Sequence, residues 1–402
     1  MVDCPKQYGL YNTQTPRSIM DKSHHNLAER PNWYRHLITR TGGDYFGSLS
    51  SLLYPEEVFV THDGNWIVTR TADGEISVVQ NVCLHAGMQI LNHTGTQQSK
   101  EIRCSGHQWL YDRRGKLLAC PKFVKSERSL ARPDFSLWNG FVLGYSEKEL
   151  SALSGFGETL GLPNGFLSAN DFWYGEEEHA YKLPYPRPLM KINYDDGLHV
   201  AKYHEFSFGP MIDENDYKWE FGPSDTNVSY SIQLVNIRPN VRLHVDRLIH
   251  SRNKKIEDLG WANLHFWLEE KMPKAETPID KNIFAVWASI YGNGYIMPEL
   301  YFGGRFLALS YLVSAVGGDG ISRNMNYVEF YIHKSIPESL RRAALEKFIY
   351  AYEQSAREDD EICTKLWSAH RRDDIDFNRI THGELEAGEV HFRDWFLRHF
   401  AL

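Results

Sequence analysis

A chain of 402 residues is long enough for two domains and a sizeable core. With 42% hydrophobic, 24% charged and 13% aromatic residues and no low-complexity tract, its composition is that of an ordinary soluble protein. A net charge of −8 and the lack of any Lys/Arg stripe argue against a nucleic-acid partner.

No apolar run approaches the roughly 18 residues of a membrane span. The N-terminal MVDCPKQYGLYNTQT lacks the charged-then-apolar layout of a signal peptide, so no membrane partner and a cytoplasmic location are expected. Five cysteines are too few and too unevenly placed for a disulfide framework. Two of them, Cys83 and Cys104, stand beside histidines at short spacing, which points to metal.

In chain order, residues 56–81 alternate strand-like runs (EEVFVTH, NWIVTRT, EISVVQN) with the turn pairs Asp63-Gly64 and Asp73-Gly74. The pattern continues through IRCSGHQWLYD, a turn at Arg114-Gly115, and WNGFVLGYS. These runs predict a compact all-β domain over 40–148. The texture then changes. A helix is expected from Lys191 to Phe208, stopped by Gly209-Pro210. Strand-like runs follow at VSYSIQLVNI, VRLHVDRLIH, FAVWASIYG, RFLALSYLVSAV and NYVEFYIH. A long helix opens at Ser335, where S-I-P-E supplies an N-cap, an early proline and Glu338, and a last helix lies near 386–400. The fold class expected is α+β. The all-β domain precedes a second domain, 149–402, in which helices wrap an antiparallel sheet around a cavity, with residues 1–39 packed against it.

The first chemical constellation is Cys83-x-His85 with Cys104-x-x-His107: two thiolates and two imidazoles on two short loops. Zinc accepts this donor set. So does a Rieske [2Fe–2S] centre, where the cysteines hold one iron and the histidines the other. Each loop follows a strand-like run in an all-β context, whereas Cys₂His₂ zinc modules usually carry a helix, and this favours the cluster.

The segment CSGHQWLYDRRGKLL resembles the second Rieske loop of ring-hydroxylating and related non-haem iron oxygenases, with Trp109, Tyr111 and Gly115 at that family's aromatic pair and turn glycine. There are two departures. The gap from His85 to Cys104 is 18 residues, slightly long, and the first loop reads CLHAG, where an arginine often follows the histidine. Neither removes a ligand. The resemblance implies a catalytic (alpha) subunit fed with NAD(P)H electrons by a separate reductase or ferredoxin. In keeping with that, no G-x-G-x-x-G stands in a strand–helix context.

A Rieske cluster moves only electrons, so the chemistry needs a second site. Asp196, His199 and His204 lie in NYDDGLHVAKYH as N-x-x-D-x-x-H-x-x-x-x-H. Positions i and i+5 are about 140° apart on a helix, so the two imidazoles converge only where the helix ends or distorts. Two imidazoles and a carboxylate form the facial triad of non-haem Fe(II) oxygenases. The carboxylate is sought in YEQSAREDDEICTKLW. Asp359 shares a face with Ile362 and Cys363, while Asp360 and Glu361 are expected to point to solvent. The family's third ligand lies in a similar acidic cluster, which also selects Asp359. The resemblance further implies that Asp196 is not a ligand but links His199 to His107 of the partner subunit, within a homotrimer. Asn193 matches a polar position of the family. The family's N-W-K is Pro186-Arg187-Pro188 here.

The reading is therefore an enzyme that uses O2 to hydroxylate, dihydroxylate or dealkylate a small organic substrate. A Rieske-type desaturase or oxidative cyclase and a zinc-bound non-catalytic protein are the alternatives. Cys4, Cys120 and Cys363 are read as packing residues or exposed thiols, and His24, His25, His36 and His391 as surface residues. Trp261, Phe266, Trp267, Trp287, Tyr291 and Tyr301 are candidate pocket aromatics.

Overall fold

The computed structural model describes residues 45–52, 57–62, 64–93, 95–99, 101–122, 127–162, 168–185, 190, 193–204, 209, 212–237, 284–291, 295–303, 306–316, 324–334, 336–370 and 386–400. Several expectations fall outside these: the packing of residues 1–39, Cys4, His24, His25, His36, Asp63, the 186–188 departure, the strand at 241–250, Trp261, Phe266, Trp267 and the cap at Ser335.

The N-terminal part consists of short antiparallel strands, as its turn chemistry requires. Strands β2 (Glu57–Val60), β3 (Trp66–Arg70), β4 (Ile76–Gln80) and β5 (Gly95–Gln98) form a sheet in the order β4-β3-β2-β5. Strands β6 (Ile102–Arg103), β7 (Leu110–Tyr111) and β8 (Leu117–Ala119) form a second, and β1 (Tyr45–Ser48), β9 (Ser136–Trp138) and β10 (Phe141–Leu143) a third. The β7–β8 turn needs Gly115: its φ is +80°, and a Cβ there would lie 2.9 Å from Val79 Cγ1. Val58, Val60, Ile67, Val79 and Ile102 pack with Cys83, Cys104, Trp109 and Tyr111, so both candidate cysteines sit in the core of this part.

The C-terminal part is built on a seven-stranded antiparallel sheet, ordered β11-β17-β16-β15-β14-β13-β12. Its strands are β11 (Phe172–Leu183), β12 (Ile212–Phe221), β13 (Ser229–Ile237), β14 (Phe284–Tyr291), β15 (Tyr295–Gly303), β16 (Phe306–Val316) and β17 (Asn324–His333). Four helices are described: α1 (Glu147–Leu150), α2 (Gly197–Tyr203), α3 (Glu338–His370) and α4 (Ala387–Phe400). Three of the strands, β11, β12 and β15, carry no strand signal in the sequence. FWYGEEEHAYKL and IDENDYKWEF are rich in acidic residues disfavoured in strands, and β15 contains Pro298. Pairing with neighbours overrides propensity there.

The two-residue alternation of the strands divides the labour of the sheet's two faces. Tyr230 and Ile232 of β13, Val286, Ala288 and Ile290 of β14 and Tyr331 of β17 form one core with Tyr45, Phe141 and Leu143 of the N-terminal part. The other face meets helices. There Phe330 packs edge-on against Phe348 and Tyr352 of α3, and Tyr291 against Phe392 and Trp395 of α4. His391 is half-buried rather than on the surface: it hydrogen-bonds with the Tyr291 hydroxyl and, through Nε2, at 3.0 Å with the Gly222 carbonyl. Its α4 position on the Tyr291 side explains the difference.

One polar cluster crosses the apolar seam. Glu329 of β17 is fully buried, and its carboxylate accepts from the hydroxyls of Tyr45 (2.5 Å) and Tyr331 and pairs with His62 Nε2 at 2.8 Å. The Tyr331 hydroxyl also lies 2.9 Å from Ser48 Oγ. Burial and the adjacent carboxylate push both tyrosines far above their ordinary range, so they remain donors. Removing the acceptor takes a hydrogen-bond partner from three buried groups at once. Glu329→Ala should destabilise the protein by on the order of 3 kcal/mol, measured by urea unfolding, and Glu329→Gln by less, since an oxygen acceptor stays.

Candidate metal centres

Both cysteine–histidine pairs sit on tight reversals of the chain. The Cys83 N–H donates to the Met88 carbonyl (2.8 Å) and the Cys104 N–H to the Trp109 carbonyl (2.9 Å), closing two similar loops. At the second, Gln108 adopts φ 60°. The thiols point inward and are buried, while His107 is exposed and His85 half-buried. Their Nδ1 atoms stand 3.2 Å apart, close to the ~3.3 Å expected of two imidazoles on one tetrahedral ion with ~2.0 Å bonds. His85 is stacked on Trp109 at 5.3 Å.

The two sulfurs are prepared for anionic charge. Burial raises the Cys104 thiol, but the backbone N–H groups of Gly106 and His107 point at its sulfur and oppose that rise. The Tyr111 hydroxyl accepts the Leu84 N–H at 3.0 Å and so turns its own proton to Cys83 Sγ, 3.3 Å away. Met88 Sδ fills the space beside Gly106, where a Cβ would come within 2.2 Å of it.

Among the described residues, the one set of three His, Cys or carboxylate donors drawn within 4.8 Å of one another is His199, His204 and Asp359. The four donors of the loops therefore pair off, sulfur with sulfur and nitrogen with nitrogen, rather than closing around one point. That arrangement fits a two-iron cluster and not a single tetrahedral zinc.

The second centre forms where a helix is too short to keep its histidines apart. The expected helix over 191–208 is interrupted: Asn193 and Tyr194 are helical, the chain breaks at Asp195–Asp196, and a new helix starts at Gly197 with Asp196 as its cap. Asp196 Oδ1 accepts the N–H of Leu198 (2.8 Å) and of His199 (3.2 Å). At the other end His204 is already the C-cap, with ψ 40°. One imidazole thus lies inside α2 and the other beyond it, and both Nε2 atoms come to 3.3 Å from Asp359 Oδ1 of α3.

The far nitrogens are also occupied. His199 Nδ1 hydrogen-bonds with the Asp196 carbonyl, with Asp196 Oδ2 at 3.6 Å, and His204 Nδ1 lies 2.8 Å from Glu358 Oε2. With each Nδ1 engaged in this way, Nε2 is the ring atom left to face Asp359 and a metal, the orientation seen for metal-binding histidines. Asn193 donates to Asp359 Oδ1 at 2.7 Å. Burial lowers the basicity of His199, but the carboxylates of Asp196 and Asp359 outweigh it and lift the imidazole to about 9; His204 is raised for the same reason. Burial works against ionisation of Asp359, yet His204 and His199 hold its carboxyl well below the usual range. The trio demands positive charge between its donors, and a divalent metal answers that demand.

One expectation about the acidic cluster needs correction, and Glu358 has a role the sequence did not assign. Asp360 does not face solvent: it is half-buried and accepts the Tyr185 hydroxyl at 2.5 Å. Glu358 is not a solvated residue either, because it holds His204. Its position was legible in principle, four residues before buried Ile362 on the same helical face. Tyr185 left no comparable signal, since its partner is 175 residues away. Glu361 is exposed and pairs with Lys365 on its own helix at 2.7 Å. Cys120 and Cys363 are buried, as packing residues should be. Trp287 is buried on β14, and Tyr291 is engaged by α4 and His391.

Comparison with known proteins agrees with this geometry. The Rieske [2Fe–2S] domain family matches residues 51–132. Putrescine 2-hydroxylase of Ralstonia nicotianae is 25% identical over 340 residues, covering 83% of this chain and 81% of that protein. The quaternary ammonium Rieske monooxygenase CntA has a similar fold at 15% identity and TM-score 0.65, covering 93% of each chain. Naphthalene 1,2-dioxygenase from Rhodococcus sp. is similar at 15% identity and TM-score 0.65, over 96% of this chain and 94% of that one.

The chain thus carries a Rieske [2Fe–2S] domain and has the fold of Rieske oxygenase alpha subunits. It is an oxygenase, with a [2Fe–2S] cluster and a mononuclear iron as its metal groups.

The Tyr111 hydroxyl gives a direct test of the cluster's surroundings. Its hydrogen bond to Cys83 should strengthen as negative charge builds on the sulfur. Tyr111→Phe should therefore lower the cluster's reduction potential by roughly 50 mV, the one-electron equivalent of about 1 kcal/mol, with iron content unchanged. Protein-film voltammetry checks this.

Proposed function

We propose that Cys83 and Cys104 hold one iron of the cluster, His85 and His107 the other, and that His199, His204 and Asp359 hold the mononuclear Fe(II). The cluster domain would span 40–148 and the catalytic domain 149–402. The activity proposed is hydroxylation of a small aliphatic amine. One atom of O2 enters a C–H bond and the other leaves as water, with two electrons drawn from NAD(P)H through a separate reductase or ferredoxin and two protons, one from NAD(P)H and one from solvent.

The observation that carries this reading is the convergence of two Nε2 atoms on Asp359 Oδ1, with both Nδ1 atoms already bonded elsewhere. When bound, the mononuclear iron supplies activation of O2 and the cluster supplies single electrons. The chain's own residues do the rest. Asp196 and Glu358 orient the imidazoles, Asn193 steadies the carboxylate, and three protein donors leave coordination positions for O2.

An amine is favoured on two grounds. The relative matched over most of both chains is named for putrescine. Moreover, Asp196, Glu358 and Asp359 all lie within 3.6 Å of imidazole nitrogens, so even a bound dication leaves the centre net negative. Such a field favours a cationic substrate over an anionic one.

With a surrogate reductase, short aliphatic diamines should stimulate O2 uptake and yield a product heavier by one oxygen, whereas neutral arenes should not. In the same assay Asp359→Ala should abolish turnover and lower iron from about three to about two per chain, with the visible spectrum intact. A wild-type protein holding only the cluster irons would overturn the assignment.

Electron delivery is proposed to cross a subunit boundary in a head-to-tail ring of three, a heterologous contact that closes only as a ring. Asp196 would link His199 to His107 of the partner subunit. Its side chain is a quarter exposed, beside exposed Leu198 and Tyr203, while Met88 and Leu118 are exposed in the cluster part. Asp196→Asn keeps an oxygen to cap α2, so both metals should stay bound while turnover falls on the order of 100-fold. Mixed trimers of Asp196→Asn with Cys104→Ser should regain part of the activity. A fully active monomer would sink the route.

A further inference from the structure

The turn of α3 that carries Asp359 is held from three directions. Glu358 meets His204 at the end of α2, Asp359 meets Asn193 and the two imidazoles, and Asp360 meets Tyr185. Successive residues of a helix point 100° apart, so these three contacts span about 200° of the circumference. Two of the three lead to the segment 193–204, which Ser231 and Gln233 of β13 hold through Asp195 and the Tyr194 carbonyl. The third ties the turn to the opposite edge of the sheet, at the end of β11. Tyr185 follows the end of β11 by two residues, is 3% exposed, and reaches Asp360 Oδ1 at 2.5 Å. Its hydroxyl also hydrogen-bonds with Cys363, fully buried one turn further along α3.

We propose that Tyr185, acting through Asp360, is a positioning residue of the mononuclear centre, fixing the rotation of α3 about its axis and so the place of the Asp359 carboxylate. The lever is short. A carboxylate about 6 Å from a helix axis moves by about 1 Å when the helix turns by about 10°. A displacement of about 1 Å at a reacting centre can reduce rate on the order of 100-fold. The aromatic contacts of α3 with Phe330 lie at Phe348 and Tyr352, two to three turns earlier, and restrain rotation at Asp359 less directly. Tyr185 stays a donor, because burial together with the acidic neighbours pushes its phenol far up.

This inference rests on the assignment of His199, His204 and Asp359 as iron ligands. The test is Fe(II) affinity by chelator competition on the intact, cluster-loaded protein, with the EPR line shape of the nitric oxide adduct of the ferrous site. Tyr185→Phe should weaken Fe(II) binding roughly tenfold and broaden that line shape, leaving the cluster signal and Tm unchanged. Asp360→Ala should match it, Asp360→Asn should restore most of the affinity, and the double variant Tyr185→Phe/Asp360→Ala should be no worse than either single one. Wild-type affinity and line shape in Tyr185→Phe overturn the proposal. Should that variant fail to fold, equal affinities for Asp360→Ala and Asp360→Asn do so instead. A wild-type protein with only two irons per chain, unchanged by Asp359→Ala, defeats the ligand assignment itself and is thus told apart.

Discussion

A carboxylate that must stay charged beside two buried imidazoles governs this structure. Asp359 lies on a helix whose neighbouring face is apolar, and two imidazoles and the Asn193 amide compensate its charge there. Both imidazoles stand 3.3 Å from its Oδ1 and hold its carboxyl low, while it raises theirs. The surrounding architecture serves to bring three donors from two distant segments to one place. Asp196 caps a fresh start of the helix at α2, His204 ends it early, and α3 runs 33 residues so that its later turns reach them.

The two proposed metal sites gather their donors by different physical means. At the cluster, two closed loops hang from short strands, and backbone hydrogen bonds fix thiols inward and imidazoles outward over spans of a few residues. That site is local and depends little on the rest of the chain. The mononuclear site joins residues 154 apart through His204 and Glu358, and residues 166 apart through Asn193 and Asp359. It exists only once the seven-stranded sheet has set α2 and α3 side by side.

Contact between the halves is also two-layered. An apolar core from Tyr45 to Ile290 gives the seam its area, and the buried Glu329 with its three donors gives it a unique alignment. A purely apolar seam tolerates sliding. A buried acceptor that satisfies Tyr45, Tyr331 and His62 together does not, because each lost hydrogen bond leaves a buried polar group unmet.

By itself the sequence determined what close spacing can encode: the Cys83/His85 and Cys104/His107 loops, the glycine turns, the Asp196–His199–His204 motif, the long helix and Asp359 on its apolar face. These are short-range facts, set by two-residue and 3.6-residue periods. Only the tertiary structure decided the rest. Strands β11, β12 and β15 exist against their own propensity because neighbours pair with them. Asp360 turned inward because Tyr185 waits there from another element, and Glu358 became the holder of His204 by the crossing of α2 and α3. Helical phase tells which way a side chain points, but not what it will find. The partner comes from 150 or more residues away, placed by packing that no local pattern records.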